Sequence, residues 1–231
     1  PDMQNHYLQL VSEETGRLAR LIQNMLDLSK LESGEYQVNA RMFNIWDTLT
    51  GVALSAEQRI NDGMIEIEGL TMDEKALVYA DPDLIHQVVY NLLDNAIKFT
   101  PAGGTVSVRV RQLAGQVRGC GQYEFRIKDN GIGMSPEFAK KIFEPFERER
   151  TSTVSRIQGT GLGMAITKNI VDMMGGTIEV QTAQGKGSEF IIRVPLRVQA
   201  EHRPVEKITE LEGLKALVVD DDFNTCDSVT K

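Results

Sequence analysis

Cysteine is almost missing from this sequence: Cys120 and Cys226 stand far apart, with no second thiol or histidine cluster near either. That excludes a disulfide framework and a zinc site of ordinary spacing, and leaves both as plain thiols. Long apolar runs are missing too. Nothing approaches the roughly 18 apolar residues of a membrane span, and the opening Pro1-Asp2-Met3-Gln4 lacks the charged and apolar regions of a signal peptide. The chain is therefore expected to be cytoplasmic, whether or not a longer parent protein is membrane-anchored. Net positive charge is the third absence. With a formal charge of −8 and a pI near 5.0, the average surface repels nucleic acid and anionic membranes. A phosphate-bearing ligand must then be held by donors gathered locally.

What is present suffices for a sizeable core: 231 residues, 41% of them apolar. From Met3 to Glu32 there is no proline, and Leu8, Val11, Thr15, Leu18, Ile22 and Met25 keep a three-then-four spacing. This predicts a long amphipathic helix with a coiled-coil-like seam, which Leu21 and Leu28 widen to suit a multi-helix bundle, and which Ser33-Gly34 ends, although an ordinary core-packing helix of the same domain has the same pattern. Asp47 is expected to cap a helix running to about Asn61, followed by β-like runs at 65–70 and 76–80. Asp81-Pro82 opens the clearest helix, with Leu84, Ile85, Val88, Val89, Leu92, Leu93, Ala96 and Ile97 on one face, stopping before Thr100-Pro101. Strands are predicted at 105–110 and 123–128, flanking a Gly-containing excursion around 115–121. A helix should start at Ser135-Pro136, another should run over 163–174, and a hairpin should join 177–182 to 188–194. Such mixed helices and hairpins, without regular βαβ alternation, predict an α+β fold: a two-layer sandwich with helices stacked on one sheet face.

Four features of this sequence can carry chemistry. Gln87, Asn91, Asn95 and Lys98 make a narrow polar stripe on the otherwise apolar helix after Asp81. Amide oxygens suit a hard cation such as Mg2+ whose shell phosphate oxygens complete, and Lys98 can oppose phosphate charge, although a solvated stripe has the same pattern. Asp129-Asn130-Gly131-Ile132-Gly133 places a carboxylate and two glycines at a strand end, where the backbone can approach a ligand and Asp129 can accept from an amino group. Gly159-Thr160-Gly161-Leu162-Gly163 leads into a helix whose N–H groups can face phosphates. Gly185-Lys186-Gly187 taken alone is a hairpin turn.

Their joint order resembles the catalytic domain of sensor histidine kinases, within the group that also holds gyrase, the Hsp90 chaperones and MutL. The resemblance covers about Met42 to Arg197 and runs through five boxes. Asn91-Leu92-Leu93-Asp94-Asn95-Ala96-Ile97-Lys98-Phe99-Thr100 looks like the N box, Asp129 to Gly133 the first glycine box, and Ile142-Phe143-Glu144-Pro145-Phe146 the F box; Gly159 to Gly163 and Gly185 to Gly187 look like the other two. The resemblance implies ATP and Mg2+ as cofactors, with Asn95 on the metal, Asn91 assisting, and Lys98 on phosphate. It implies Phe99 beside the adenine, Asp129 on its amino group, and Gly131, Gly133, Gly159, Gly161 and Gly163 lining the nucleotide. Residues 147–158 would be a lid, with Phe143 and Phe146 as its apolar anchors and with Arg148, Arg150 and Arg156 as candidate phosphate contacts, although a solvated charge run accounts for at least two of these arginines.

The same resemblance orders the chain into residues 1–34, the second helix of a dimerisation and phosphotransfer bundle; 38–197, the catalytic domain; 198–213, a linker; and 214–231, the start of a receiver domain. Leu217 to Asp222 looks like the first strand and acidic site of that receiver, with Asp220 and Asp221 as its acidic pair, which implies a hybrid kinase parent. The implied function is transfer of the γ-phosphoryl group of Mg-ATP to a histidine on a bundle helix that this chain does not contain. His6, His86 and His202 do not replace it, since His6 is followed by Tyr7 and not by an acidic residue. ATP-hydrolysing relatives carry a glutamate where this chain has Asn91, an amide without useful basicity, which favours transfer over hydrolysis. The implied partners are ATP or ADP, the phosphoacceptor helix, a receiver in cis or a separate response regulator, and a second copy through the bundle helix, with no nucleic acid. The alternatives are a nucleotide-binding interaction module without transferase activity and an ATP hydrolase.

Overall fold

The computed structural model describes residues 2–68, 77–117, 120–149 and 159–198. The expected linker and receiver segment, apart from Val198, lie outside these residues, and so do Arg150, Arg156 and most of the expected lid. Helix α1 runs over Asp2–Glu32, β1 over Arg41–Asn44, α2 over Ile45–Asp62, β2 over Glu66–Glu68 and β3 over Leu77–Ala80. Then come α3 (Pro82–Phe99), β4 (Thr105–Val117), β5 (Cys120–Asp129), α4 (Pro136–Ala139), α5 (Gly163–Met173), β6 (Thr177–Thr182) and β7 (Ser188–Val198).

The strands form one sheet in the order β1-β3-β7-β5-β4-β2, antiparallel except for the parallel β2–β4 pair. One edge of β7 serves two neighbours in turn, β6 beside residues 188–193 and β3 beside 197–198. Alternation along β5 sends Tyr123, Phe125 and Ile127 into the core and turns Glu124, Arg126 and Lys128 outward. The inward residues meet α3, whose predicted apolar face, Leu84 through Ile97, is buried throughout. Helix α2 packs on α3, and α3 on α5. This is the expected two-layer sandwich.

Local chemistry explains the boundaries. Asp81 caps α3 through Asp83 N–H at 3.0 Å, with Pro82 in the first turn. For α2 the expected cap was Asp47. The structure instead uses Asn44, whose Oδ1 accepts from Trp46 N–H at 3.0 Å, and leaves Asp47 in the first turn, where its charge suits the helix dipole. The excursion expected around 115–121 is a continuation of both strands, with Gly115 inside β4 and Gly121 inside β5.

Helix α1 has two apolar faces. Leu28 is buried, and Leu21 and Leu31 pack against the core beside α5. The seam residues Leu8, Val11, Leu18, Ile22 and Met25 are exposed. Leu21 and Leu28 thus serve the catalytic unit, where the sequence had suggested a wider bundle stripe. Among the described residues no helix is long and apolar enough to cross a membrane.

On the outer sheet face Glu124 is only 1% exposed. Its carboxylate accepts from Arg126 Nε at 2.8 Å, Arg111 Nε at 2.8 Å and Arg193 Nε at 2.9 Å, and Arg111 and Arg193 sit on the neighbouring strands directly opposite it. The hydrogen bond from Arg126, reinforced by the other two guanidiniums against the cost of burial, pulls its pKa down to about 2. A depressed carboxylate contributes stability above its unfolded pKa, and that contribution drains away as pH falls towards the folded value. Chemical denaturation of Glu124→Gln should show a loss of about 1–3 kcal/mol at neutral pH, less than for a fully buried pair because the arginines keep one side in water. Between pH 4.5 and about 2 the difference from the unchanged protein should narrow.

Candidate functional site

The cavity that brings the boxes together has a volume of about 410 Å³, within the range of small-molecule sites. Asn91, Asn95, Lys98, Phe99, Asp129, Gly133, Gly159, Gly161 and Gly163 all line it. Of the predicted stripe Gln87 is absent from the lining, and of the predicted glycines so is Gly131. Five basic residues, Arg17, Arg20, Arg59, Lys98 and Arg148, share the lining with four acidic ones, Asp94, Asp129, Glu147 and Glu149. An acidic protein has thereby collected positive groups at one place.

At one end lies Asp129, 6% exposed at the last position of β5. Its Oδ1 accepts from Gly131 N–H at 2.9 Å and from Ser188 N–H at 3.2 Å. Burial raises its pKa, and those two backbone donors oppose the rise. Among the described residues Oδ2 has no protein donor and is not fully buried, and Asp129 lines the cavity. A carboxylate with one oxygen fixed and one free is a directional acceptor for an amino group.

Glycine is required around this aspartate because two loops meet there backbone to backbone. A Cβ on Gly187, whose φ is +81°, would fall 2.0 Å from the Asp129 carbonyl oxygen; one on Gly133, with φ of +63°, would fall 1.9 Å from that of Ala183. Gly131 contributes its N–H to Asp129 and its bareness to the close approach of the Phe99 carbonyl. Gly185 N–H donates to Ile132 O at 2.7 Å. The segment that reads as a hairpin turn is thus also a clamp on the first glycine box.

At the other end α5 begins at Gly163 with no side chain capping it, so its first N–H groups remain available to an anion. Asn91 Nδ2 donates to Gly163 O at 3.1 Å and to Thr167 Oγ1 at 3.3 Å, and Asn95 Nδ2 lies 3.1 Å from Met164 Sδ. Both amide nitrogens are thus spent on α5, and neither amide oxygen has a protein donor among the described residues. Hard cations take such oxygens. No group of three or more His, Cys, Asp or Glu among the described residues could hold a metal by itself, so Mg2+ would depend on phosphate for most of its shell. Asn95, assisted by Asn91, would hold it, and there it would neutralise phosphate charge.

Asp94 went unassigned by sequence reasoning, yet it is central here, bridging Arg59 from α2 and Lys98 one turn along α3. Its spacing from Lys98 was a legible signal, whereas the arrival of Arg59 was not. Phe146 also departs from expectation. Its side chain is exposed, and it is held through its backbone, with φ of +64° and its N–H donating to Gly161 O at 2.9 Å. Phe143 packs against the core as an anchor should. His86 stacks on Tyr90 and stays out of the lining.

The profile of the histidine kinase-, DNA gyrase B- and HSP90-like ATPase family matches residues 80–198, slightly more than half of the chain. The chain belongs to this ATPase family. Among curated proteins it is 31% identical over 217 residues to the circadian input-output histidine kinase CikA of Synechococcus elongatus, covering 93% of this chain and 28% of that protein. It is 28% identical over 229 residues to the autoinducer 2 sensor kinase/phosphatase LuxQ of Vibrio harveyi, covering 94% of this chain and 26% of that one. The chain therefore spans about a quarter of these relatives' length. Among solved structures, full-length ShkA in complex with AMPPNP matches with a TM-score of 0.68 at 27% identity, over 85% of this chain and 40% of that one. The mycobacterial sensor histidine kinase MprB matches with a TM-score of 0.56 at 29% identity, over 69% of this chain and 99% of that one.

As an ATPase-family domain, the protein should lose adenine nucleotides selectively on Asp129→Asn. The amide keeps an oxygen for the Gly131 and Ser188 N–H groups and presents a donor to the cavity where the carboxylate presents an acceptor. Calorimetry should show binding at least roughly 100-fold weaker, the scale of a buried polar mismatch. Because the folded pKa of Asp129 is raised, ionising it costs stability as pH rises through that value. Thermal melting of the nucleotide-free variant near neutral pH should therefore be no lower than that of the unchanged protein.

Proposed function

We propose that this domain holds Mg-ATP with the adenine amino group on Asp129 and the phosphates between Asn91, Asn95, Lys98 and the start of α5. From there it passes the γ-phosphoryl group to a histidine on a bundle helix outside this chain. The observation that carries this reading is the placement in one cavity of a free carboxylate oxygen, two donor-free amide oxygens and an uncapped helix start. The family membership and the AMPPNP complex of ShkA support the nucleotide. The chemistry asked of the protein is positioning and charge compensation. Lys98, held by Asp94, and the backbone N–H groups of α5 meet the phosphate charge, while Phe99 borders the base.

Transfer is favoured over hydrolysis by Asn91, which gives its amide nitrogen to Gly163 and Thr167 and offers no base at the position where hydrolytic relatives carry one. The kinase reading places residues 1–34 in a phosphotransfer bundle, 38–197 in the catalytic domain and 214–231 in a receiver, within a hybrid sensor kinase. Its proposed partners are the acceptor helix, a receiver in cis or a separate response regulator, and a second copy through the exposed seam of α1.

The test is incubation of the chain with γ-labelled Mg-ATP and a separately supplied bundle helix carrying a histidine followed by an acidic residue. Label should move to that histidine, and Asn95→Ala should reduce transfer by about two orders of magnitude or more, the scale for losing one charge-stabilising group. Nucleotide binding without transfer would instead indicate an interaction module, and fast phosphate release without an acceptor a hydrolase.

A further inference from the structure

Helix α1 does more than lean on the catalytic unit. Arg17, Arg20 and Asn24 line the nucleotide cavity, although they lie more than sixty positions before the N box. Their spacing puts them on one side of the helix, the same side that buries Leu28 and packs Leu21 against the core. Asn24 fixes which end of the cavity α1 covers, because its Nδ2 donates to Thr160 Oγ1 at 3.3 Å, inside the glycine loop that leads to α5. At a rise of 1.5 Å per residue Arg20 begins about 6 Å and Arg17 about 10 Å along α1 from that contact, within reach of phosphate groups seated at the loop.

The charges at this spot are uncommitted. Arg20 has neither an ion pair nor a hydrogen bond among the described residues. Arg17 has only an exposed pair with Glu14 at 3.5 Å, three positions away on the same helix, of the kind that contributes little. Lys98 and Arg59, by contrast, are engaged by Asp94. Two guanidiniums beside an uncapped helix start, in a chain whose net charge is −8, have the geometry and the donors to receive phosphate oxygens.

We propose that Arg17 and Arg20 bind the terminal phosphates of the nucleotide, which makes the bundle helix one wall of the nucleotide site. The inference rests on the nucleotide reading above and adds to it a set of contacts outside the ATPase fold. By linkage, a triphosphate that is held partly by α1 also holds α1 against the catalytic unit, and lifting α1 loosens the triphosphate by the same factor. Adenosine, lacking phosphates, is indifferent to both arginines.

The test compares Mg-ATP and Mg-ADP by calorimetry, and adenosine by NMR titration, on the whole chain and on three variants. Arg17→Ala with Arg20→Ala changes exposed positions to the best helix former, so α1 persists. Mg-ATP should bind roughly tenfold or more weakly, as befits losing charge-assisted hydrogen bonds, Mg-ADP should lose less, and adenosine should not change. Arg17→Lys with Arg20→Lys should recover most of the ATP affinity. The proposal is overturned if adenosine and Mg-ATP weaken together, since α1 would then merely prop the cavity. It is equally overturned if the double alanine variant binds Mg-ATP normally while Asp129→Asn abolishes binding. Normal adenosine and ATP binding by Asp129→Asn would bring down the nucleotide reading itself.

Discussion

Two backbone N–H groups, one from the loop after β5 and one from the first residue of β7, converge on one oxygen of Asp129, and the site is arranged around that convergence. A carboxylate this buried needs donors to stay ionised, and side-chain donors would fill the space a ligand must occupy. Backbone donors solve the problem only if two loops can touch. Gly131, Gly133 and Gly187 permit it, as the carbonyls of Phe99, Ala183 and Asp129 stand where their β-carbons would be. The first glycine box and the β6–β7 turn are consequently one structural unit, separated by more than fifty positions of sequence and closed by the Gly185–Ile132 hydrogen bond.

Opposite this joint, α3 serves the core and the chemistry at once. Its apolar face binds the helix layer to the sheet, and the narrow remaining strip faces α5 and the cavity. Asn91 and Asn95 give their nitrogens to α5, a choice that fixes the orientation of the oxygens left over. Neutral amides suit the position: each donates from its nitrogen to α5 and still has an oxygen to offer, whereas an apolar side chain at 91 would give up the bonds to Gly163 and Thr167.

Much of this was legible in the sequence because its causes are local. The period of α3 and its Asp81-Pro82 start are short-range signals that yielded the core face, while the order of the boxes, read through the family resemblance, yielded nine of the residues that line the cavity. What escaped notice arises from tertiary meetings. Arg59 reaches Asp94 only because α2 lies on α3, and Arg20 enters the lining only because α1 docks on α5. Asn44 took the cap from Asp47 because β1 ends one residue before α2 begins, a boundary that composition does not mark. Gln87 fell off the functional stripe because the cavity spans only the C-terminal turns of α3. Phe146 sits where its N–H meets the carbonyl of Gly161, a contact between segments fifteen positions apart that its own box does not announce.

The outer wall of the sheet carries Glu124, Glu179 and Glu189 against Arg111, Arg126 and Arg193, joined from strand to strand. Balanced in sign and without a broad greasy surface at its centre, that wall gives an approaching macromolecule little to adhere to. The sandwich is thereby discouraged from acquiring a third layer. The cavity lies on the opposite, helical side, so a molecule bound there is touched by α1, α3 and α5 and not by this wall.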